Sequence, residues 1–93
     1  MLKATAIRMR VGQKDTDDVK EIDSIHIEGD TSPKGWEKKE NLYDFLRDNP
    51  NDKIYVDIEP NPELIKAKDG EQKYVRSSPN DTENDNLLKL PRE

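Results

Sequence analysis

The segment GWEKKENLYDFLRDNP, residues 35–50, decides the fold because it holds the one strong helical pattern in the chain. Leu42, Phe45 and Leu46 fall at positions i, i+3 and i+4, and most of the other residues are charged, which predicts one apolar stripe. The helix ends at Asn49-Pro50, since proline cannot continue the hydrogen-bond ladder. A helix of about a dozen residues is marginal alone, so this stripe must be buried against a sheet.

The beginning of this helix is less well defined than its end. Lys38 and Lys39 are poor caps, and positive charges in the first turn oppose the helix dipole. Trp36 stands before them and is predicted to close the core at the helix entrance. The alternative is that Trp36 anchors a partner, because tryptophan is common among the residues that dominate binding energies.

The N-terminal segment 4–11 alternates as a half-buried strand does. Arg8 and Arg10 share the predicted solvent side with two alanines. The predicted core side consists of Thr5, Ile7, Met9 and Val11.

A second strand is predicted over 21–29, with Ile25 and Ile27 facing the core. Ile22 falls on the wrong parity, which indicates a bulge or a turn. Residues 1–14 carry four basic and no acidic groups, whereas 15–30 carry seven acidic and one basic. This charge difference favours antiparallel pairing of the first two strands.

Two further strand signals come after Pro50. Segment 53–59 alternates most regularly, and Asp69-Gly70 between two polar strands is typical of a type I′ hairpin turn. A strict two-residue loop there pairs Lys66 with Lys73, which repel each other. A three-residue loop with a glycine bulge avoids that pair but reverses which side chains face the core, so the register stays open.

The sequence therefore predicts an α+β fold with element order ββαβββ, a mainly antiparallel sheet, a final three-stranded meander and the helix on one face. Residues 1–78 are predicted to form a single domain, and 79–93 a polar linker with a leucine-rich tail. Leu87, Leu88 and Leu90 are expected to dock on the domain; the alternative is a short motif offered to a partner. The predicted core is Ile7, Met9, Val11, Ile25, Ile27, Trp36, Leu42, Phe45, Leu46, Ile54, Val56 and Ile58.

Composition limits both the core and the partners. Of 93 residues, 40% are charged and 30% hydrophobic, which indicates one thin core. The net charge of -5 argues against general attraction to nucleic acid or an anionic membrane. No apolar run is long enough for a signal peptide or a membrane span, so a cytoplasmic protein with no membrane partner is expected.

Several segments together resemble one family. They are IHIEG (25–29), Trp36 before a helix, KIYVD (53–57), DGEQKYVRS (69–77) and NLLKLP (86–91). In the same order, they are similar to a domain-of-unknown-function family of small bacterial and phage-associated proteins. Its pattern is I-x-x-I-G-G, Trp with a short helix, a (F/Y)-Y-V strand, G-x-K-Y-L-(K/R)-T and N-N-L-L-x-L-P. The resemblance implies a small α+β domain and brings no established activity.

The residues give no catalytic, cofactor or metal signature. His26 is the only histidine and falls on the outward side of its strand, without the partners that a general base or a metal needs. Asp15, Asp17 and Asp18 resemble the start of a calcium loop, but the required glycine and the final glutamate are missing. With no cysteine, thiolate chemistry is absent as well. We therefore expect a protein that is not an enzyme and needs no cofactor.

A basic sheet face is a candidate binding surface. On this face, basic side chains would alternate with a tyrosine, as they do on sheets that bind single-stranded nucleic acid. The alternative is that carboxylates on neighbouring strands pair with these cations and neutralise the face. The expected function is a non-enzymatic protein-interaction module with an unknown partner, to which an open sheet edge would give access. The alternative is weak nucleic-acid binding; the oligomeric state is left open. The candidate partner-binding residues are Arg8, Arg10, Lys66, Lys73, Tyr74 and Arg76.

Overall fold

The computed structural model describes residues 2–30, 34–78 and 85–93. In these ranges the chain forms six strands and one α-helix. In chain order they are β1 (Leu2–Met9), β2 (Ile22–Glu28), β3 (Gly35–Lys38), α1 (Lys39–Asp48), β4 (Ile54–Val56), β5 (Leu64–Asp69) and β6 (Gln72–Ser77).

Strand β1 is central to a four-stranded sheet of order β3-β2-β1-β4. It pairs antiparallel with β2 and parallel with β4, and β2 pairs antiparallel with β3. Strands β5 and β6 form a separate antiparallel hairpin. The predicted small α+β fold with a mainly antiparallel sheet is confirmed.

Two details of the predicted topology are wrong. Residues Gly35–Lys38 form strand β3, which was not predicted. Three strands therefore precede the helix instead of two, and the helix begins at Lys39. The three-stranded meander is absent from the described residues because β4 pairs with β1, and only the isolated bridge between Tyr55 and Glu63 links it to the hairpin strands.

Two bulges set which side chains face the core. Thr5 is an extra residue between the pairs Ala4–Ile27 and Ala6–His26, and Asp23 is extra between Arg8–Ser24 and Met9–Ile22. Because a strand has a period of two, each extra residue reverses the inward–outward parity of the residues beyond it. The first bulge turns Leu2 and Ala4 inward, contrary to the predicted parity. The second confirms the bulge predicted from Ile22.

The inner face of the sheet, the hairpin and α1 share one core. Ile7, Ile25, Ile27, Leu42, Ile54 and Val56 are buried as predicted, and Met9, Phe45, Leu46 and Ile58 pack partly buried against them. Two core predictions are wrong: Val11 is fully exposed, because β1 ends at Met9, and Trp36 is half-buried on the other face of the sheet. Core members that the sequence did not predict are Leu2, Ala4, Ile22, Leu64 and Val75.

The hairpin turns one residue later than the predicted Asp69-Gly70. Asp69 pairs with Gln72, so Gly70 and Glu71 form the two-residue loop. Of these two, only Gly70 has a positive φ, as a type II′ turn requires. Lys68 then lies opposite Lys73, and Lys73 is drawn to Asp44 of α1 at 2.9 Å, which offsets the repulsion.

The C-terminal residues close the remaining edge of β1. Leu87, Leu88 and Leu90 are buried, and the 3₁₀ turn Asn86–Lys89 that holds two of them is capped by Asp85. The backbone of Ile7 accepts from Glu93 and donates to Pro91, both at 2.9 Å, so this segment continues the parallel edge begun by β4. Residues 79–84 of the predicted linker lie outside the described residues.

The described part of the chain contains no helix long and apolar enough to cross a membrane.

Candidate functional site

The solvent side of the four-stranded sheet, called here the outer face, gathers aromatic and basic side chains. The pairing register brings three cross-strand rows to this side. The row members are Tyr55, Lys3 and Glu28; Ala6, His26 and Trp36; and Arg8, Ser24 and Lys38. The inner face is covered by the core, so the outer face is the side of this sheet left for a ligand.

Arg8 and His26 both contact Trp36. The guanidinium carbon of Arg8 lies 3.9 Å from the centre of the Trp36 ring, a cation–π stack. The ring of His26 meets the same indole edge-on at 5.2 Å between centroids. His26 is held in turn by the bulged Thr5, whose hydroxyl lies 3.1 Å from the histidine Nδ1. Three strands thus supply one ordered aromatic and cationic cluster.

The contact with Trp36 is the one interaction that the described chain gives the Arg8 guanidinium. In the part of the chain that the structure describes, Arg8 has no hydrogen bond to an acceptor and no carboxylate within ion-pair distance. The remaining arginines, Arg10, Arg47, Arg76 and Arg92, each have a carboxylate partner. Arg8 is therefore the described arginine whose N–H groups remain available to a ligand.

Lys38, in the same row, is already engaged. Its ammonium donates to both carboxylate oxygens of Asp23 at 3.1 Å, and Ser24 donates to the same carboxylate at 2.9 Å. Burial raises the pKa of Asp23, but the hydrogen bonds from Lys38 and Ser24 and the charges of Lys38 and Lys39 outweigh it, so the pKa lies below the usual aspartate value. Asp23 is thus ionised and satisfied.

Two of the predicted partner-binding residues meet in a cleft on another part of the molecule. Arg10 and Lys73 contribute to a cavity of about 460 Å³ between the start of α1 and the hairpin turn. Its other lining residues are Asp23, Lys39, Glu40, Glu71 and Gln72.

The cations of this cleft are already satisfied. Arg10 pairs with Glu21 at 3.4 Å and Lys73 with Asp44 at 2.9 Å. Lys39 is buried, and its ammonium donates to the backbone carbonyl of Lys20 at 2.5 Å. Three acidic residues line the same walls, so the charges cancel and the cleft offers no net field to a charged ligand.

The other predicted site residues do not join either place. Lys66 is exposed on β5, and Tyr74 is half-buried on β6 opposite Ala67. Arg76 pairs with Asp85 at 3.8 Å beside the C-terminal turn. The structure brings Arg10 together with Lys73 and places Arg8 on the outer face. Lys66, Tyr74 and Arg76 belong to neither place.

Sequence reasoning missed the aromatic part of the outer face. It placed Arg8 and His26 on the solvent side, which the register confirms, but assigned Trp36 to the core. The poor capping quality of Lys38 and Lys39 was the available signal that the residues before Lys39 adopt another structure. A strand over 35–38 paired with β2 places Trp36 directly across from His26.

Among the described residues no three histidine, aspartate or glutamate side chains lie close enough to hold a metal ion. Of the aspartates that resemble the start of a calcium loop, Asp18 caps the 3₁₀ turn Val19–Glu21 and Asp17 pairs with Arg92 at 3.5 Å. Both act within the fold.

Comparison of the chain with family models, curated proteins and solved structures found no match. The family resemblance seen in the sequence therefore stays a prediction.

Proposed function

We propose that this chain is a non-enzymatic module of the bacterial cytoplasm that binds a partner protein through the outer face of its four-stranded sheet. The observation that carries the proposal is the Arg8–Trp36 stack, 3.9 Å from guanidinium carbon to ring centre, on a face that the core does not use. The bacterial setting rests on the family resemblance, and the cytoplasmic setting rests on the sequence.

The composition of this face supports a protein partner. Trp, Tyr and Arg are the residues most enriched where a few side chains dominate binding energy. Here Trp36, Tyr55 and Arg8 share one side of the sheet, with Trp36 and Tyr55 on its two edge strands. The same side carries the exposed Lys3, Glu28 and Lys38. Aromatic residues and arginine are enriched in protein interfaces relative to the rest of the surface, which supports a protein as the partner.

Binding by the face is favoured over strand addition at an edge. The edge strand β3 carries Glu37 opposite Ile25, on the inner side, where a partner strand would bury the charge. On the hairpin, β5 presents the exposed Lys66 and Lys68. Inward charges and lysines on edge strands are features that prevent edge-to-edge pairing.

Nucleic-acid binding by the same face is the less favoured alternative. Arg8 already covers one face of the indole, which reduces the surface available for base stacking. The net charge of -5 opposes a polyanion, and Lys38 is neutralised by Asp23. The outer face therefore fits a protein better than a phosphate backbone.

A capture experiment with matched variants tests the proposal. The tagged chain, Arg8→Glu and Lys89→Glu are each used as bait in native lysate, with and without nuclease, at about 50 and 200 mM salt. Lys89 is exposed on the C-terminal turn and receives the same charge change. The proposal requires a protein that survives nuclease, binds wild type and the Lys89 variant, and is lost from the Arg8 variant. Equal capture by all three baits, or recovery of nucleic acid alone, would contradict it.

A further inference from the structure

We infer that the partner presents a carboxylate, from an acidic protein segment, to the guanidinium of Arg8. This inference rests on the proposed function and names the chemistry of the partner at that face. Its grounds are the way Arg8 is held, the groups that surround it, and the charge of the whole chain.

The stack on Trp36 prepares Arg8 for a bidentate ligand. The guanidinium carbon of Arg8 lies over the indole, 3.9 Å from the ring centre, and its fork of N–H donors has no acceptor among the described residues. That fork matches the two oxygens of a carboxylate, and paired hydrogen bonds of this kind are stronger than neutral ones. Because Trp36 already restricts the side chain, less conformational entropy is lost when a ligand binds.

No carboxylate of the described chain satisfies this fork. Asp23, the bulge residue next to Ser24, is taken up by Lys38 and Ser24. Glu28 lies opposite Lys3, two rows away from Arg8. The described outer face thus has one unneutralised guanidinium, and charge complementarity assigns an acidic group to the partner.

The same fork would accept a phosphate, but the rest of the chain favours the carboxylate. A nucleic acid brings many phosphates close to a protein of net charge -5, whereas an acidic segment can place one carboxylate at Arg8 and apolar atoms on the aromatic residues. We therefore assign a protein carboxylate rather than a phosphate backbone.

Nuclear magnetic resonance on the ¹⁵N-labelled full chain tests this assignment. Trp36 is the only tryptophan, so its indole N–H signal reports on the outer face without ambiguity. The probes are a capped glutamate peptide, with one glutamate between apolar residues, and the shortest oligothymidylate, TpT, which carries the same single negative charge. The variants are Arg8→Lys, which keeps the charge but loses the fork, and Arg10→Lys, whose arginine pairs with Glu21. Amide spectra of both variants establish that they fold.

The inference predicts saturable movement of the Trp36 indole signal with the glutamate peptide. Affinity should fall about fivefold or more in the Arg8 variant and stay unchanged in the Arg10 variant. Absence of saturable movement, equal binding by the Arg8 variant, or tighter binding of the oligothymidylate would overturn it. If the peptide fails while Arg8→Glu still loses a protein from lysate, the carboxylate assignment alone is wrong. If Arg8→Glu captures the same proteins as wild type, the proposed function itself is wrong.

Discussion

Arg8 and Trp36 lie in contact, 3.9 Å from guanidinium carbon to ring centre, although they belong to β1 and β3 and are separated by β2. The contact therefore spans three strands of the sheet. Ala6 and Ser24 share that face and are only 6% exposed each, since their larger neighbours cover them. The pair thus has a structural role besides the binding role proposed for it.

A double-mutant cycle measures this pair. Arg8→Ala, Trp36→Leu and the double variant are unfolded with urea. Each single substitution should lower the free energy of unfolding. The coupling energy between Arg8 and Trp36 should be about 0.5–1 kcal/mol, the usual value for an exposed cation–π contact. Strict additivity of the two substitutions would show that the stack does not persist in solution.

The Asp23–Lys38 pair predicts a pH-dependent contribution to stability. Because the folded pKa of Asp23 lies below its ordinary value of 3.8, its stabilisation is fully present above that value and is lost as the pH falls through the folded pKa. Lys38→Gln should lower the free energy of unfolding at pH 7 by about 0.2–1 kcal/mol, a range set by the solvent exposure of both side chains. The difference from wild type should vanish below the folded pKa.

Carboxyl ¹³C titration of Asp23 provides the direct readout. The pKa of Asp23 should rise in Lys38→Gln and remain in place in Lys34→Gln, which removes an exposed lysine that has no ion pair in the described chain. If the pKa of Asp23 is the same in Lys38→Gln as in wild type, Lys38 is not a cause of the lowered pKa of Asp23.

The C-terminal turn offers a matched pair of substitutions. Leu87 is fully buried and Lys89, in the same turn, is exposed. Leu87→Ala should cost about 2–5 kcal/mol, which for a domain of this size lowers the melting temperature by about 10 °C or more. Lys89→Ala should change stability by no more than about 0.5 kcal/mol. Similar melting curves for both variants would show that the tail is not docked.

Substitutions of Asn86 also test the packing of the C-terminal turn. It is fully buried, and neither atom of its amide has a hydrogen-bond partner among the described residues. A buried polar group without a partner costs about 1–3 kcal/mol, so Asn86→Leu should raise the melting temperature and Asn86→Asp should lower it. A loss of stability in Asn86→Leu would mean that the amide is hydrogen-bonded in solution.

Local patterns predicted the elements better than their pairing. The helical stripe of Leu42, Phe45 and Leu46 and the alternation of Ile54 and Val56 identify α1 and β4. The parallel pairing of β4 with β1 depends on contacts between distant segments, which no local period encodes. The bulge at Thr5 left no sign in the sequence because Ala4 and Ala6 are equally small and apolar. The bulge at Asp23 was visible because Ile22 is large.

The outer face was only half accessible to sequence reasoning. Alternation placed Arg8 on the solvent side, but Trp36 was assigned to the core at the helix entrance. A segment of four residues is too short for its periodicity to reveal the strand over 35–38 that pairs with β2. The cleft shared by Arg10 and Lys73 likewise depends on how the hairpin packs against α1.

Site-specific photo-cross-linking tests the central claim most directly, because it locates the partner on the molecule. A photoreactive residue replaces Glu28, exposed on the outer face, or Lys66, exposed on the hairpin, and both chains are irradiated in living cells. The account predicts a discrete protein adduct from position 28 that disappears when Arg8→Glu is added, and none of equal strength from position 66. Equal adducts from both positions, an adduct from position 66 alone, or cross-links to nucleic acid only would contradict binding by the outer face.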